Sequence, residues 1–255
     1  MIIGISGKIL SGKDEVGKII QYLDLCNKYP HIWKPNANKA AGGDSLGSYD
    51  NFLHSDHSWV GDWEIKKFAD KLKDIVCLLL NCTREQFEDH DFKNKILGKE
   101  WDQISYYVDV NDLIMKDEPY TLHMTPRLLL QLLGTDCGRK IIHNNIWVNA
   151  LMSEYKQTDY RSFGDPDDSN IVMPDWVITD VRFPNEANSI KEKGGVNIRV
   201  NRPNMFDAAI KSTKIEHESE TALDYYKFDY VIENNGTIED LIIKVQSILK
   251  IENII

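Results

Sequence analysis

The stretch Gly7-Lys8-Ile9-Leu10-Ser11-Gly12-Lys13-Asp14 decides the fold of this chain. A short apolar run at residues 2–5 precedes it, and its composition is that of a buried strand. After it, apolar residues recur at the spacing of one helix face, at Val16, Ile19, Ile20 and Leu23. A strand, a glycine-rich loop and a helix in this order are the context of a phosphate-binding P-loop.

The chemistry of the loop suits a phosphate chain. Glycines let the backbone turn tightly and point its N–H groups inward, and the helix N-terminus adds partial positive charge. Lys13 then reaches the outer phosphates. The stretch matches G-x-x-x-x-G-K, except that Asp14 replaces the usual Ser or Thr. A carboxylate can also ligate magnesium, as a hard oxygen donor. A βα turn without a ligand is the alternative.

Further strand and helix signals alternate along the chain. Strands are expected at residues 63–69, 176–180, 196–200 and 228–232. Helix starts are expected at Asp70, Thr83, Thr125-Pro126, Pro184 and Thr237. Gly134-Thr135 is expected to end the helix that follows Pro126 or to begin its exit, and a second helix is expected to run through Met152. This alternation predicts an α/β fold, a parallel β-sheet flanked by helices as in P-loop NTPases.

Ligands in such sheets bind outside the carboxyl ends of the strands. The predicted strand ends therefore place Lys13, Asp180, Arg182 and Asn234 around one crevice, although they are distant in sequence. Asp180 and Arg182 are two residues apart, so in extended chain they project the same way. Arg127 and Gln131 are four apart and share a helix face. Periodicity alone leaves open whether that face meets a ligand or solvent.

Composition narrows the choice of partners. The 255 residues carry a formal net charge of −10, which argues against a general binder of DNA or RNA backbone but not against a small anionic ligand. No apolar run is long enough to span a membrane. The start of the sequence lacks a signal-peptide pattern, and the four cysteines lack metal-site spacing, so we expect a cytoplasmic protein with free thiols.

We expect one domain over residues 1–255, with an inserted excursion at about 27–62 and a lid at about 199–220. The excursion is rich in Asn, Asp, Ser, Gly and His, and Trp33, Tyr49, Phe52 and Trp59 are expected to order part of it. The sequence leaves a homodimer open.

Taken together, these residues resemble the phage-type deoxynucleoside monophosphate kinases, within the wider P-loop nucleoside monophosphate kinase fold. The most specific segments are the Gly-Lys-Asp variant of the P-loop and Asp180-Val-Arg-Phe-Pro-Asn-Glu186. The other matching segments lie at residues 63–73, 127–135, 146–149, 217–220 and 230–241. The match covers most of the chain outside 27–62 and 155–175. It departs at Glu15, where relatives often carry Thr.

The resemblance implies two sets of site residues. The ATP-binding set would be Gly7, Lys8, Ser11, Gly12, Lys13, Asp14, Glu15, Asn234 and Gly236, with Asp14 near Mg²⁺. The set for the acceptor deoxynucleoside monophosphate (dNMP) would be Lys66, Phe68, Ala69, Arg127, Gln131, Gly134, Thr135, Trp147, Asp180, Arg182 and Glu186. In this set Trp147 would offer a stacking face, and Gln131 and Glu186 could each contact a base edge. Lys13, Arg182 and Arg139 would be the catalytic residues, with Arg139 and the arginines near 199–202 as lid candidates.

The implied reaction is transfer of the ATP γ-phosphoryl group to a dNMP, giving ADP and dNDP, with small nucleotides as the only partners. Two alternatives stay open. One is another small-molecule P-loop kinase such as a dephospho-coenzyme A kinase, which the turn Asn234-Asn-Gly-Thr237 also resembles. The other is a nucleotide-binding module without catalytic activity, which would keep Lys13 but could lack an acceptor pocket.

Overall fold

The computed structural model describes residues 1–33, 47–55, 62–105, 120–161, 169–203 and 218–255. Within them the chain divides into two compact units. The first consists of Met1–Phe68 and Leu151–Ile255, and the second of Ala69–Ala150. Our expectation of one domain with an excursion and a lid stays a prediction, and residues 204–217 of that lid lie outside the described residues.

The described strands and helices alternate over most of the chain. The strands are β1 (Ile2–Ser6), β2 (Trp63–Lys66), β3 (Gln103–Ser105), β4 (Tyr120–Leu122), β5 (Thr158–Arg161), β6 (Ser169–Val172), β7 (Asp175–Val181), β8 (Val196–Asn201) and β9 (Tyr230–Glu233). The α-helices are α1 (Lys13–Lys28), α2 (Tyr49–His54), α3 (Asp70–Leu80), α4 (Arg84–Glu88), α5 (His90–Asn94), α6 (Pro126–Gln131), α7 (Ile146–Met152), α8 (Pro184–Glu192), α9 (Glu218–Thr221) and α10 (Ile238–Ile251). A 3₁₀ turn lies at Lys99–Trp101, and Leu132–Ile142 is π-helical.

Five parallel strands form the sheet of the first unit, in the order β2-β7-β1-β8-β9. All five residues of β1 are buried, as expected for the central strand of a parallel sheet. Helices α1 and α10 pack against one set of strand residues, which includes Ile3, Ile5 and Val177. The apolar residues Val16, Ile19, Ile20 and Leu23 are all buried, as the spacing predicts. The expected α/β fold with a parallel sheet is confirmed.

Two strand boundaries differ from the sequence expectation by more than one residue. Strand β2 ends at Lys66 rather than at residue 69, because the backbone N–H of Phe68 donates to Asp180 Oδ1 at 2.7 Å instead of continuing the ladder. Strand β9 begins at Tyr230 rather than at residue 228. The expected N-cap at Asp70 is wrong by one residue. Asp70 is the first residue of α3, and Ala69 precedes it without a side-chain cap.

The second unit has its own core, formed by residues such as Leu72, Val76, Phe87 and Trp147. The predicted caps at Thr83 and Thr125 are confirmed. Thr83 forms a reciprocal capping box with Gln86, and the Thr125 hydroxyl accepts from the N–H of Leu128 at 3.1 Å. Strands β3 and β4 pair antiparallel.

The expectation that Gly134-Thr135 ends a helix is wrong. Both residues are buried, and the chain stays helical through Ile142 before His143 takes an extended conformation. A Cβ on Gly134 would lie 2.7 Å from Leu72 Cδ2, so glycine here permits close packing rather than a helix stop. The Gly134 carbonyl accepts a hydrogen bond from Trp147 Nε1 at 2.8 Å, which ties the π-helix to α7.

The excursion contributes to the core of the first unit. Helix α2 lies within it, and Phe52 packs on Tyr22 at 5.7 Å and on Trp33 at 6.2 Å between ring centroids. Ordering by Trp33, Tyr49 and Phe52 is therefore confirmed, whereas Trp59 lies outside the described residues. All four cysteines are free thiols. In the described part of the chain, no helix is both long and apolar enough to cross a membrane.

Candidate active site

The loop between β1 and α1 has the backbone of a phosphate cradle. Leu10 and Gly12 adopt positive φ angles of 64° and 93°, and the N–H of Ser11 donates to the carbonyl of Lys8 at 3.1 Å. No side chain caps the N-terminus of α1, which begins at Lys13. The first N–H groups of a helix need partners from outside the helix, so this end suits an anionic ligand.

Lys13 is the cation of this site. Lys13 is half-buried, and its side chain has no hydrogen bond and no ion pair with any residue that the structure describes. Burial lowers the pKa of Lys13, and the positive charge of Arg182 lowers it further, against the opposing effect of Asp14. A partly buried ammonium group without a partner is suited to bind a phosphate.

Asp14 lies between a cation and a hydroxyl. Its Oδ1 accepts from Lys67 Nζ at 2.9 Å and from the Thr179 hydroxyl at 3.1 Å. Burial raises the pKa of Asp14, but the hydrogen bond and charge of Lys67, with the charge of Lys13 and the Thr179 hydrogen bond, together leave that pKa below its usual value. Asp14 is therefore ionised at neutral pH.

The residues present fit magnesium. Asp14 Oδ2 has no partner among the described residues, and Mg²⁺ is commonly held by one or two carboxylates together with substrate phosphates. The described residues contain no cage of three or more acidic, His or Cys side chains, and a Mg²⁺–nucleotide complex does not require one.

Asn234 connects the end of β9 to the phosphate loop. Its Nδ2 donates to the carbonyl of Ser11 at 2.9 Å, and its backbone N–H donates to the carbonyl of Asn201 at 2.7 Å. The Ser11 hydroxyl is buried and has no partner among the described residues. A cavity of about 180 Å³ beside the loop is lined by Lys8, Ile9, Ser11, Arg199, Val200, Asn201 and Arg202.

The predicted acceptor residues at the end of β7 are each held in place. Asp180 Oδ1 accepts from the N–H of Phe68, as described above. Glu186 is only 2% exposed, and its Oε2 accepts from the N–H groups of Arg182 at 2.7 Å and Phe183 at 3.1 Å. Glu186 thus fixes the backbone that carries Arg182. That Glu186 also contacts a nucleotide base stays a prediction.

The positive charge of Arg182 lowers the pKa of Lys13. Arg182 Nη1 donates to Glu220 and to the Ser219 hydroxyl, the latter at 3.4 Å. Both partners belong to the short helix α9. The structure thus brings Lys13, Asp14, Asp180, Arg182 and Asn234 to the carboxyl edge of one sheet, as the topology predicts.

Four other residues of the first unit were predicted to bind a nucleotide, and the structure shows their surroundings within the protein. Lys66 pairs with Glu64 at 2.7 Å and lies over the Trp176 ring at 5.1 Å, while the Phe68 side chain is buried. Gly236 belongs to the turn before α10. Glu15 accepts from the Tyr49 hydroxyl at 2.7 Å. These positions stay predictions as ligand contacts.

The remaining predicted residues lie in the second unit. Arg127 Nε donates to Asn94 at 3.0 Å, and the half-buried Gln131 side chain has no polar partner among the described residues. Trp147 is a core side chain, 7% exposed. Arg139 Nη1 donates to the carbonyl of Asn144 at 3.4 Å. Ala69 precedes α3, and Gly134 and Thr135 lie in the π-helix. The roles of these residues in dNMP binding and catalysis stay predictions.

Arg199 is part of the sheet rather than of a loop. It lies on β8, donates to the Ser6 hydroxyl at 3.1 Å, and lies over the Phe228 ring at 5.7 Å. Of the arginines expected in a lid, Arg202 follows β8 and lines the cavity beside the phosphate loop. The lid itself stays a prediction.

The sequence analysis missed four polar residues of this region: Tyr49, Lys67, Thr179 and Glu220. Thr179 and Lys67 are each adjacent to a residue that the analysis did select, Asp180 and Lys66. Glu220 lies in the segment 217–220, which matched the family without an assigned role.

Comparison with known proteins identifies a matching family model and two similar proteins. The family model described as deoxynucleotide monophosphate kinase matches residues 64–245. The deoxynucleoside-5'-monophosphate kinase of Escherichia phage T5 is 28% identical over 232 residues, covering 88% of this chain and 85% of the phage protein. A putative deoxynucleotide monophosphate kinase of Acanthamoeba polyphaga mimivirus is 35% identical over 124 residues, covering 46% of this chain and 56% of its own length.

Proposed function

This chain belongs to the deoxynucleotide monophosphate kinase family, and we propose which of its residues carry out the reaction of that family. It is a kinase that transfers the γ-phosphoryl group of ATP to a dNMP, giving dNDP and ADP. One observation supports our assignment of the donor site most strongly. The Lys13 ammonium, at the uncapped N-terminus of α1, has no partner among the described residues.

The phosphate loop binds the ATP phosphates in this proposal. Its backbone N–H groups and Lys13 donate to the phosphate oxygens, and Asn234 holds the loop in shape through the Ser11 carbonyl. The loop residues from Gly7 to Asp14, together with Glu15 and Gly236, line the donor site. Asp14 supplies a carboxylate oxygen to Mg²⁺. When bound, Mg²⁺ neutralises charge on the phosphates.

Arg182 contacts the acceptor phosphate, next to Asp180. A guanidinium group suits this task because it can donate two parallel hydrogen bonds to one phosphate. The other proposed acceptor contacts are those of the dNMP set implied by the sequence: Lys66, Phe68, Ala69, Arg127, Gln131, Gly134, Thr135, Trp147 and Glu186. Arg139 is proposed to assist catalysis.

The chemistry needs positioning and charge neutralisation more than acid–base catalysis. The attacking dNMP phosphate oxygen is already anionic at neutral pH, so no side chain has to remove a proton from it. Lys13 and Arg182 place positive charge where negative charge moves between donor and acceptor. We further propose that the protein works in the cytoplasm on free nucleotides, and not on nucleic acid polymers or at a membrane.

Replacing Arg182 tests the acceptor assignment. We expect Arg182→Ala to lower kcat/KM for dNMP by at least about 100-fold, because a charged contact to the acceptor phosphate is lost. The Kd of ATP, measured by calorimetry, should change less than about threefold. Lys193→Ala, which removes a positive charge at the exposed end of α8, is the matched control. Equal losses of ATP and dNMP affinity in Arg182→Ala would contradict the assignment.

A further inference from the structure

Among the described residues, Arg182 is anchored through one of its three guanidinium nitrogens. Nη1 donates to the Glu220 carboxylate and to the Ser219 hydroxyl, the latter at 3.4 Å. The Glu220 side chain is 18% exposed, against 36% for the Arg182 side chain. Nη1 is thus held by a partner whose side chain is more buried than that of Arg182.

The opposite edge of the same group is available. The Nε and Nη2 atoms of Arg182 have no hydrogen-bond partner in the part of the chain that the structure describes. A guanidinium group carries five N–H donors in a rigid plane, so contacts at Nη1 leave the Nε/Nη2 edge able to bind a phosphate through two parallel hydrogen bonds. The contact with Glu220 and a contact with phosphate are therefore compatible.

Glu220 also balances charge in this region. Burial is the main cause of the lowered pKa of Lys13. Arg182 lowers that pKa further, whereas Glu220, like Asp14, raises it. In the absence of a nucleotide, the positive charges of Lys13 and Arg182 repel each other. The negative charge of the Glu220 carboxylate offsets that repulsion before the phosphates bind.

We propose that Glu220, assisted by Ser219, is a positioning residue that holds Arg182 with its Nε/Nη2 edge presented to the acceptor phosphate. This inference rests on the proposed function, which assigns Arg182 to that phosphate. An unrestrained arginine side chain samples many rotamers, and fixing it in one of them costs conformational entropy. If Glu220 already holds Arg182 in one orientation, that entropy is not lost when dNMP binds and reacts.

A different role for Glu220 would have the opposite kinetic sign. If the carboxylate were a competitor that the acceptor phosphate must displace, removing it would strengthen dNMP binding. If it presents Arg182, removing it weakens dNMP use. The sign of the change in kcat/KM therefore separates the two roles.

The test compares Glu220→Ala and Glu220→Gln with Glu218→Gln, which removes the same charge from an exposed position of the same helix. We expect Glu220→Ala to lower kcat/KM for dNMP by about 10- to 50-fold, with the Kd of ATP within about twofold of wild type. Glu220→Gln keeps an acceptor oxygen without the charge, so it should fall between Glu220→Ala and wild type. Glu218→Gln should match wild type.

A double variant tests whether Glu220 acts through Arg182. In the Arg182→Ala background, Glu220→Gln should cause no further loss of kcat/KM, because the group that it positions is already absent. If Glu220→Ala proves unfolded by thermal melting, Glu220→Gln, which has the same shape, carries the test alone.

Three results would overturn this inference. One is a rise in kcat/KM for dNMP when Glu220 is replaced, and another is a full additional loss in the Arg182→Ala background. The third is wild-type kinetics of the Glu220 variants alongside an impaired Arg182→Ala enzyme, which would leave the proposed function standing. Wild-type kinetics of Arg182→Ala itself would instead remove the acceptor assignment, and this inference with it.

Discussion

Lys13 and Asp14 are neighbours in sequence, but their side chains have opposite surroundings. Lys13 has no hydrogen bond or ion pair among the described residues, while Asp14 Oδ1 is held by Lys67 and Thr179. The Lys13 side chain can therefore adjust its position when the ATP phosphates bind. The Asp14 carboxylate, which we propose binds Mg²⁺, is held in one orientation. A fixed carboxylate keeps its oxygens oriented before the nucleotide binds, which lowers the cost of ordering the site.

At Gln131 the open question is whether the side chain contacts a base. On α6 the Cβ atoms of Arg127 and Gln131 should lie roughly 6 Å apart on one face. Gln131→Leu keeps approximate size but removes both polar groups, leaving base atoms unpaired at a cost of about 1–3 kcal/mol. We expect kcat/KM to fall by roughly 10- to 100-fold, unequally among dGMP, dTMP and dCMP. If steady-state kinetics show every dNMP turned over at the wild-type rate, the Arg127 and Gln131 face is a solvent face.

The sequence could predict which residues lie at the strand ends, but not their partners. The loop motif and the strand pattern were sufficient to group Lys13, Asp180, Arg182 and Asn234. The contacts of Lys67 with Asp14 and of Glu220 with Arg182 join residues far apart in sequence, and a charged side chain gives no periodic signal of its partner. Glu186 shows the same limit. Its position at the start of α8 was predicted, but its two hydrogen bonds to the Arg182 and Phe183 backbone were not.

Among the elements, α2 shows that the excursion contributes to stability. Phe52 is 2% exposed and packs against Tyr22, Trp33 and Tyr49. We expect Phe52→Ala to lower the free energy of unfolding by about 3–5 kcal/mol, because it leaves a cavity in this aromatic cluster. Urea unfolding followed by tryptophan fluorescence measures the change. Asn51→Ala, at an exposed position of the same helix, is the control, and a loss below about 1 kcal/mol in Phe52→Ala would contradict a core role for α2.

Glu88 of α4 connects α3 and α5 in the second unit through ion pairs. This carboxylate is paired with Lys73 and, at 2.9 Å, with Lys93. Burial raises the pKa of Glu88, but these two lysines outweigh burial and lower the pKa from 4.5 to about 2. Because the folded-state pKa is the lower one, the stabilisation is present above about pH 4.5 and is lost as pH falls toward about 2.

We therefore expect Glu88→Gln to destabilise the protein at pH 7 by about 1 kcal/mol, a value that allows for solvent screening of a half-exposed group. The difference from wild type should shrink as pH falls from about 4.5 and vanish below about pH 2. Urea titrations at a series of pH values check this, with the fully exposed Asp91→Asn as the control. A difference that does not depend on pH would mean that the ion pairs are not its cause.

Helix starts were predicted correctly where a threonine side chain forms the cap. The end of a helix was predicted wrongly at Gly134, where tertiary packing determines how far the helix continues. Thr83, Thr125 and Thr237 have local hydrogen bonds that a short sequence pattern encodes. Gly134 lies within a helix that continues past it, where Leu72 packs against it and the Trp147 indole donates a hydrogen bond to its carbonyl. Local patterns cannot encode such contacts, so the π-helix could not be foreseen.

Across the whole molecule, donor and acceptor assignments differ in how much of the structure bears on them. The phosphate loop, Asp180, Arg182, Glu220 and Asn234 belong to one compact unit and are connected by hydrogen bonds or charge. Arg127, Gln131 and Trp147 belong to the other unit, where only their local contacts are described. The donor-site proposal therefore rests on geometry, while the base-contact proposal rests on the family resemblance and is tested by the kinetics of Gln131→Leu.

Lys13 of the phosphate loop is the residue that we propose to be essential for phosphoryl transfer from ATP to a dNMP. The most direct measurement follows ADP and dNDP formation from ATP and Mg²⁺, with a panel of dNMPs, with dephospho-coenzyme A, and with no acceptor. We expect dNDP from wild type and from Lys18→Ala, which removes a lysine elsewhere on α1. From Lys13→Ala we expect at least about a 1,000-fold lower rate with an unchanged melting temperature. Wild-type turnover by Lys13→Ala, or transfer to dephospho-coenzyme A in place of dNMP, would contradict the account.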